Sequence, residues 1–243
     1  GLPSLSIVGL PETTVRESRD RVRSALIHSG FDFPKYRVVV NLGPADLPKE
    51  GGRFDLAIAI GMLAASGQIP LDNLDQYEFI GELSLSGELQ PVPGALASSL
   101  ACYNSKRALI LPEQNLKEAS LYQKASSLGA QDLDRVCQFF LEEKPLAQSS
   151  SVRSGLHENP AYTYQHNLSE VYGQPFARKA LEIAAAGQHH LLMIGSPRSG
   201  KTMLAERLIT IQPQLSIEES LEIARLYSCR GLWDESLWGS RPF

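Results

Sequence analysis

Residues 191–208 of the chain read LLMIGSPRSGKTMLAERL, an apolar run followed by a glycine-containing loop and a helix-forming segment. The pattern G-x-x-x-x-G-K-[ST] is satisfied here by Gly195, Gly200, Lys201 and Thr202. In this pattern the backbone N–H groups of the loop and the N-terminus of the next helix converge on phosphate groups. The surrounding sequence predicts the required context, a buried strand over HHLLMIG and a helix that opens at Gly200.

The side chains of this loop predict a site for ATP and Mg²⁺. The Lys201 ammonium group would reach the β- and γ-phosphate oxygens, and the Thr202 hydroxyl would coordinate Mg²⁺. The other loop residues that we expect to contact the nucleotide are Ser196, Pro197, Arg198, Ser199 and Met203. No metal ligand other than Thr202 is predicted.

Composition indicates an ordinary globular protein of one large or two modest domains. Of the 243 residues, 43% are hydrophobic and 21% are charged, which excludes a disordered or fibrous chain. No apolar run approaches the roughly 20 residues that span a bilayer, and the start carries no basic, apolar leader. We therefore expect a cytoplasmic protein without a membrane partner. The net charge of −4 predicts no general attraction to nucleic acid.

The three cysteines, Cys102, Cys137 and Cys229, are far apart and odd in number. This spacing argues against a disulfide framework and against paired metal ligands. We predict that all three are buried thiols.

The first 143 residues alternate between strand-like and helix-like patterns and predict one domain. The predicted elements are a strand at 5–9, a helix at 11–29, a strand at 36–42, a helix at 54–67, a hairpin at 77–92, a helix at 95–103, a strand at 108–111 and a helix at 133–143. The charged residues of the first helix, among them Arg19, Arg21 and Arg23, are interpreted as a solvated face.

Residues 144–167 are rich in Ser, Pro, Gly and Asn and predict a linker. The second domain, 168–243, then begins with a predicted helix at about 174–186 and ends with one at about 216–228. Ser216 and Glu219 have the spacing of a capping box at the start of that last helix.

The sequence around the phosphate loop resembles one branch of the AAA+ ATPases. The segment LSEVYGQPFARKALEIAAAGQ before the loop is similar to the Mg-chelatase-like proteins, the competence-protein (ComM/YifB-type) family. The similarity continues in VGLPETTVRESRDRVRSALIHSGFDFP and VNLGPADLPKEGGRFDLAIAIGMLAASG, so it covers nearly the whole chain. The resemblance implies that Val171 and Tyr172 lie against the adenine of ATP. It also implies a ring-shaped homo-oligomer and, for some relatives, action on branched DNA during uptake and recombination.

The loop departs from the family pattern at two positions, because Arg198 and Ser196 stand where the family usually places Gly and Pro. If the backbone at Arg198 takes a positive φ, a non-glycine residue there costs about 1 kcal/mol. We expect this cost to reduce the affinity for nucleotide.

The first domain resembles the Lon protease domain in PKEGGRFD at 48–55 and GELSLSGELQPVPGAL at 81–96. In Lon a Ser and a Lys in these segments form the catalytic dyad, and the matching residues here are Arg53 and Leu96. A nucleophile needs a hydroxyl or thiol beside a base, and neither side chain supplies one. The resemblance therefore implies the fold of ribosomal protein S5 domain 2 without the protease reaction, and a docking or scaffolding role.

Hydrolysis of ATP requires more than a phosphate loop. It needs a carboxylate that holds Mg²⁺, a base or water-orienting residue, and usually an arginine from a neighbouring subunit. After Lys201 the only Asp-Glu pair is Asp234-Glu235, and only two apolar residues directly precede it, so we predict a loop there and no catalytic residue. The chain starts at Gly1 rather than Met and stops at GSRPF, which favours a fragment that does not hydrolyse ATP alone.

These observations predict an α/β protein with an S5 domain 2-like (Lon-like) α+β domain over 1–143 and a partial P-loop AAA+ α/β domain over 168–243. The favoured function is that of an ATP-binding fragment of a ring-forming ATPase that acts on DNA. Two alternatives remain open, a non-enzymatic interaction module with vestigial nucleotide binding and a disfavoured ATP-dependent Ser/Lys peptidase.

Overall fold

The computed structural model describes residues 4–9, 13–44, 46, 47, 49, 51–148 and 166–242. The chain divides into two compact units, one of Gly1–Ser154 with Arg225–Trp233 and the other of Gly155–Ala224 with Asp234–Phe243. None of the helices in the described ranges combines the length and apolar character needed to cross a membrane.

The architecture is α/β with mixed sheets. The strands are β1 (Ser4–Val8), β2 (Arg37–Asn41), β3 (Tyr77–Phe79), β4 (Glu82–Leu83), β5 (Leu89–Gln90), β6 (Ala108–Pro112), β7 (Ser127–Ala130) and β8 (Ala147–Gln148). The helices are α1 (Thr13–His28), α2 (Asp55–Ala65), α3 (Ala95–Asn104), α4 (Leu116–Ala119), α5 (Leu133–Glu142), α6 (Pro175–Gly187), α7 (Lys201–Leu208) and α8 (Ile217–Cys229). Short 3-10 helices cover Leu74–Gln76, Glu113–Asn115, Leu168–Glu170, Ile209–Ile211 and Glu235–Leu237.

The first unit opens with a β-α-β arrangement. β1 and β2 pair in parallel, with Ser4 opposite Arg37. Parallel neighbours need a crossover connection, which α1 supplies. The buried face of α1 contains Val15, Ser18, Val22, Ala25 and Leu26, as its apolar spacing predicts.

The charged face of α1 is only partly solvated, so the interpretation of its arginines needs a correction at Arg21. The Arg21 guanidinium donates from Nε to Asp55 Oδ2 at 2.6 Å and from Nη2 to Oδ1 at 3.2 Å. Asp55 is completely buried at the start of α2 and also accepts a hydrogen bond from the Leu83 N–H at 3.2 Å. An isolated buried carboxylate is costly, so this arginine is drawn out of solvent and ties α1 to α2.

The second sheet of this unit has the order β3-β6-β7-β8, in which β3, β6 and β7 run parallel and β8 is antiparallel. The predicted hairpin over 77–92 is therefore only partly correct. Its first strand, β3, pairs with β6, and only the two-residue strands β4 and β5 form a hairpin. The alternating pattern specified strands, but the choice of partner depends on residues about 30 positions away along the chain.

Two strands of this sheet were not predicted. β7 reads SLGA and is buried throughout, so it shows no alternation between apolar and polar residues. β8 lies at the start of the segment that was predicted to be a linker, and it pairs with β7. The greater part of the predicted linker, residues 149–165, lies outside the described residues.

Within the described residues the second unit contains helices and no strand, so the strand predicted at 189–195 is wrong for this chain. Leu192 is 82% exposed and Ile194 is 88% exposed. A strand buried on both faces needs neighbouring strands for its hydrogen bonds, and the described part of this unit offers none. Only Met193 of this segment packs against the small apolar cluster formed by Leu168, Val171, Leu181 and Leu204.

The helices of the second unit begin and end close to the predicted bounds. At the start of α8, the Ser216 N–H donates to Glu219 Oε2 at 2.8 Å and the Glu219 N–H donates to Ser216 Oγ at 3.1 Å. This reciprocal pair confirms the predicted capping box.

The cysteine prediction is correct at two of three positions. Cys102 and Cys137 are buried, and burial raises the pKa of each thiol to about 12. Cys229 is exposed, so the expectation that it is buried is wrong. Cys229 is the last residue of α8, and the spacing of the cysteines along the sequence does not indicate whether that end of the helix is buried.

Candidate functional site

The phosphate loop connects an extended segment to α7. The loop residues 194–199 are exposed, and Gly200 forms the N-cap of α7 with φ of 87°. That left-handed conformation is readily available to glycine and turns the chain directly into the helix. The first N–H groups of α7 have no partner within their own helix, so they are available to an anion.

Lys201 lies folded across this loop. Its Nζ donates to the Gly195 carbonyl oxygen at 2.9 Å, to the Ser196 carbonyl oxygen at 2.7 Å and to Ser199 Oγ at 3.2 Å. The ammonium group is therefore held over the space that the loop encloses. A phosphate oxygen carries more negative charge than a carbonyl and would compete for the same three donors.

Thr202 is exposed on the first turn of α7, which is compatible with a hydroxyl that contacts a bound ion. Met203 is half-buried and packs against the apolar cluster of the second unit. Its Sδ-methyl group lies 3.5 Å from where a Cβ on Gly200 would stand. The Met203 side chain thus packs between Gly200 and the apolar cluster, and it is less exposed than the loop residues.

The backbone at Arg198 has a φ of 64°. This is the positive φ at which a residue other than the family's usual glycine is expected to be costly. A non-glycine residue pays about 1–2 kcal/mol there. The positive φ is therefore present, and its strain is a cost to the folded loop. That the strain also reduces the affinity for nucleotide stays a prediction.

We predict that Arg198→Gly is more stable than Arg198→Ala by about 1 kcal/mol, because both lose the guanidinium and only Gly relieves the strain. Urea unfolding followed by circular dichroism measures the difference. We also expect the Gly variant to bind ATP more tightly than the Ala variant. Equal affinity in the two variants would show that the strain does not act on binding.

The segment 171–174 lies directly against the phosphate loop. Val171 is 2% exposed and packs in the cluster with Leu204 of α7, whereas Tyr172 is 92% exposed. Gln174 is the N-cap of α6 in a left-handed conformation, with φ of 52°. Its Nε2 donates to the Ser199 carbonyl oxygen at 3.4 Å. Of the two residues predicted to meet the adenine, Tyr172 has an exposed ring and Val171 has a buried side chain, so the contact with the adenine stays a prediction.

An ion pair joins Glu170, the residue before this segment, to α7. Arg207 Nη2 donates to Glu170 Oε2 at 2.9 Å and Nη1 donates to the Met203 carbonyl oxygen at 3.1 Å. The Arg207 hydrogen bond is the main reason that the pKa of the Glu170 carboxyl lies below its usual value. Glu170, Gln174 and Arg207 were all missed by sequence reasoning. Gln174 stands inside the segment VYGQ and could have been found there, whereas nothing in the local sequence distinguishes the other two.

Asp234 and Glu235 do not form the end of a buried strand. Asp234 is exposed and caps the 3-10 helix Glu235–Leu237, where its Oδ1 accepts hydrogen bonds from the Ser236 N–H and hydroxyl. These bonds lower the pKa of the Asp234 carboxyl, with the hydroxyl as the largest cause. The carboxylate is thus occupied by a local cap.

The positions that match the Lon dyad hold no nucleophile–base pair. Arg53 is half-buried and donates from Nη2 to the Pro93 carbonyl oxygen at 2.8 Å. Leu96 is completely buried in α3. Ser84 and Ser86 are hydrogen-bonded to each other at 2.8 Å, on the surface. Neither dyad position can act on a peptide bond.

Comparison with known proteins places this loop in a family. The family model described as subunit ChlI of Mg-chelatase matches residues 1–115, and the model described as magnesium chelatase, subunit ChlI, matches residues 167–243. An uncharacterized protein YifB of Escherichia coli is 47% identical over 244 residues, which cover 100% of this chain and 47% of that protein. Competence protein ComM of Haemophilus influenzae is 47% identical over 246 residues, which cover 100% of this chain and 48% of that protein.

A weaker similarity concerns the first unit. An archaeal Lon protease of Archaeoglobus fulgidus is 37% identical over 54 residues, which cover 22% of this chain and 9% of that protein. The chain spans about half the length of the YifB and ComM proteins that it matches. Since both family models describe the same subunit and the whole of this chain aligns with YifB and ComM at 47% identity, the chain belongs to the Mg-chelatase-like family of the ComM/YifB type.

Proposed function

We propose that this chain binds ATP with Mg²⁺ at the loop of residues 195–203. The observation that carries the proposal is the position of Lys201, whose Nζ is held over the loop by the carbonyl oxygens of Gly195 and Ser196. With the Gly200 cap and the start of α7 beside it, this arrangement offers an ammonium group and helix N–H groups to the same phosphates. The Mg-chelatase family, whose name implies metal chemistry, supports the assignment.

The residues fit the proposed ligands without rearranging the fold. The ammonium of Lys201 would exchange carbonyl contacts for β- and γ-phosphate oxygens, and the exposed Thr202 hydroxyl would complete the coordination of Mg²⁺. The bound ion supplies charge neutralisation for the phosphates. The exposed ring of Tyr172 would stack on the adenine. The buried Val171 would hold that segment in place against the apolar cluster.

Isothermal titration calorimetry with ATP tests the proposal, in Mg²⁺ and again in excess chelator. We expect saturable, weak binding in Mg²⁺ and weaker binding in chelator. If no saturation is seen at millimolar ATP in Mg²⁺, the proposal is wrong and the alternative of an interaction module with vestigial nucleotide binding is favoured.

We further propose that the chain does not turn ATP over by itself. Among the described residues after Lys201, the Asp-Glu pair serves as a helix cap, and no acidic residue ends a strand. Without a carboxylate to hold Mg²⁺ and a residue to orient the attacking water, a large part of the stabilisation of hydrolysis would be missing.

Phosphate release should therefore stay at background at every protein concentration, with or without DNA. A coupled phosphate assay measures it, and Asp234→Ala and Glu235→Ala serve as controls. A rate that rises with protein concentration and is lost in either variant would show that the hydrolytic centre is present after all.

We propose the larger context from the family. The domains would be an S5 domain 2-like, Lon-like domain over 1–143 and a partial P-loop AAA+ domain over 168–243, joined by a linker over 144–167. By resemblance, the complete protein would form a homo-oligomeric ring and act on DNA in recombination and transformation. The word competence in the name of the Haemophilus influenzae relative supports the role in transformation. Binding of this chain to labelled branched DNA, measured by fluorescence anisotropy, separates a DNA contact in this part from one elsewhere.

The peptidase alternative receives no support from the site. Its two dyad positions are an arginine bonded to a carbonyl and a buried leucine. Digestion of casein by the chain in the presence of ATP would contradict this conclusion.

A further inference from the structure

Three independent contacts join the segment 170–174 to the phosphate loop and its helix. The first is the ion pair between Glu170 and Arg207, at 2.9 Å. The second is the hydrogen bond from Gln174 Nε2 to the Ser199 carbonyl oxygen, at 3.4 Å. The third is the packing of Val171 against Leu204. All of these residues belong to the second unit, so the contacts form within one compact body.

The ion pair between Glu170 and Arg207 is partly buried, as expected of a contact that holds two elements in a fixed arrangement. The Arg207 side chain is 10% exposed, and the Glu170 side chain is 47% exposed. Arg207 also leaves its buried Nε without a hydrogen-bond partner among the described residues. An apolar side chain at position 207 would fill the same space without this desolvation cost. The arginine therefore contributes something other than packing, namely a directed bond from α7 to the residue that precedes Val171.

We infer that Glu170 and Arg207 are positioning residues that couple the base-contacting segment 171–174 to the phosphate loop. The inference rests on the proposed binding of ATP at residues 195–203. With the pair intact, the segment stands at a fixed distance from the phosphates, so the nucleoside and the triphosphate are bound together. Without the pair, the phosphates still meet Lys201 and α7, but the segment no longer presents its backbone and the Tyr172 ring at the required distance. Gln174 supports the same coupling from the other end of the segment.

The coupling predicts a difference between two ligands that share the same phosphates. Wild-type protein should bind ATP with Mg²⁺ more tightly than tripolyphosphate with Mg²⁺, because only ATP uses the segment 171–174. Glu170→Gln should lower the affinity for ATP about tenfold, the loss expected for one charge-assisted hydrogen bond. The affinity for tripolyphosphate should stay within about twofold, since the loop itself is unchanged.

Calorimetric titration of both ligands measures the two affinities for each variant. Glu182→Gln is the matched control, because Glu182 is an exposed carboxylate of the same unit whose ion pair, within the part of the chain that the structure describes, is with Lys179. It should leave both affinities at the wild-type values. Gln174→Ala provides a second test on an exposed residue if the Glu170 variant does not fold, and it should show the same selective loss for ATP at about threefold.

The outcomes separate this inference from the proposed function. If the wild type binds neither ligand, the proposed function fails and the coupling fails with it. If the wild type binds both ligands equally, or if Glu170→Gln and Gln174→Ala weaken both ligands to the same degree, ATP binding stands and the coupling is wrong. Unchanged affinity for ATP in both variants also overturns it.

Discussion

Replacement of Lys201 by alanine is expected to lower the affinity for ATP with Mg²⁺ about 10- to 100-fold, which removes measurable binding at a weak site. The Nζ donates to two loop carbonyl oxygens and to Ser199 Oγ, so it lies where we propose that the β- and γ-phosphates bind. A hydrogen bond to a charged group contributes about 1.5–3 kcal/mol, which corresponds to that range of affinity. Calorimetry on both proteins measures the change.

Lys179→Ala is the matched control for this prediction. Lys179 lies on α6 with a side chain that is 71% exposed, and it pairs with Glu182 at 3.3 Å. Its removal should leave the affinity for ATP unchanged within about twofold, because a surface charge far from the phosphates is screened. Equal affinity in wild type and Lys201→Ala would falsify the assignment of the loop as a nucleotide site.

Replacement of Asp55 by asparagine is expected to lower the free energy of unfolding by about 3–5 kcal/mol. The carboxylate is completely buried and accepts two bonds from Arg21 and one from the Leu83 N–H. Asn keeps the size of the side chain and one acceptor, but it removes the charge that holds the Arg21 guanidinium against α2. The Glu17 carboxylate, at 3.9 Å, pairs with Arg21 more weakly. Urea unfolding at neutral pH measures the loss.

The control for this second prediction is Asp20→Asn on α1. Its carboxylate is 70% exposed and pairs with Arg19 at 3.2 Å, so its neutralisation should change stability by less than about 0.5 kcal/mol. A loss below about 1 kcal/mol in Asp55→Asn would mean that water or a rearranged Arg21 compensates the pair. The helices α1 and α2 would then be held together by their apolar contacts alone.

The sequence predicted most of the helices because their signals are local. The apolar spacing of α1, the capping box of α8 and the glycine that precedes α7 lie within the helices they define or beside them. Strand partners were harder to predict. The pairing of β3 with β6 and of β7 with β8 joins residues that lie 18 or more positions apart, and no local pattern encodes that choice.

The residues of the candidate site fall into the same two groups, those that a local pattern predicts and those that only the fold brings together. The motif supplied Gly195, Gly200, Lys201 and Thr202, because a phosphate loop is contiguous in sequence. Glu170 and Arg207 lie 37 positions apart and meet only because α7 packs against the cluster that contains Val171. The extended state of residues 189–195 was also beyond local reasoning, since their apolar composition is that of a strand while the described part of the second unit offers no strand to pair with.

The sequence by itself determined the phosphate loop, the helices that flank it, the family resemblance and the loss of both Lon dyad residues, since each depends on residue identity at fixed spacing. Only the tertiary structure decided that Arg21 leaves the solvated face of α1 to neutralise Asp55, and that the backbone at Arg198 takes a positive φ. It also decided that Arg207 bonds to Glu170 beside the loop. The physical reason is that the cost of burying a charge depends on which groups of distant sequence surround it, and that environment exists only in the folded chain.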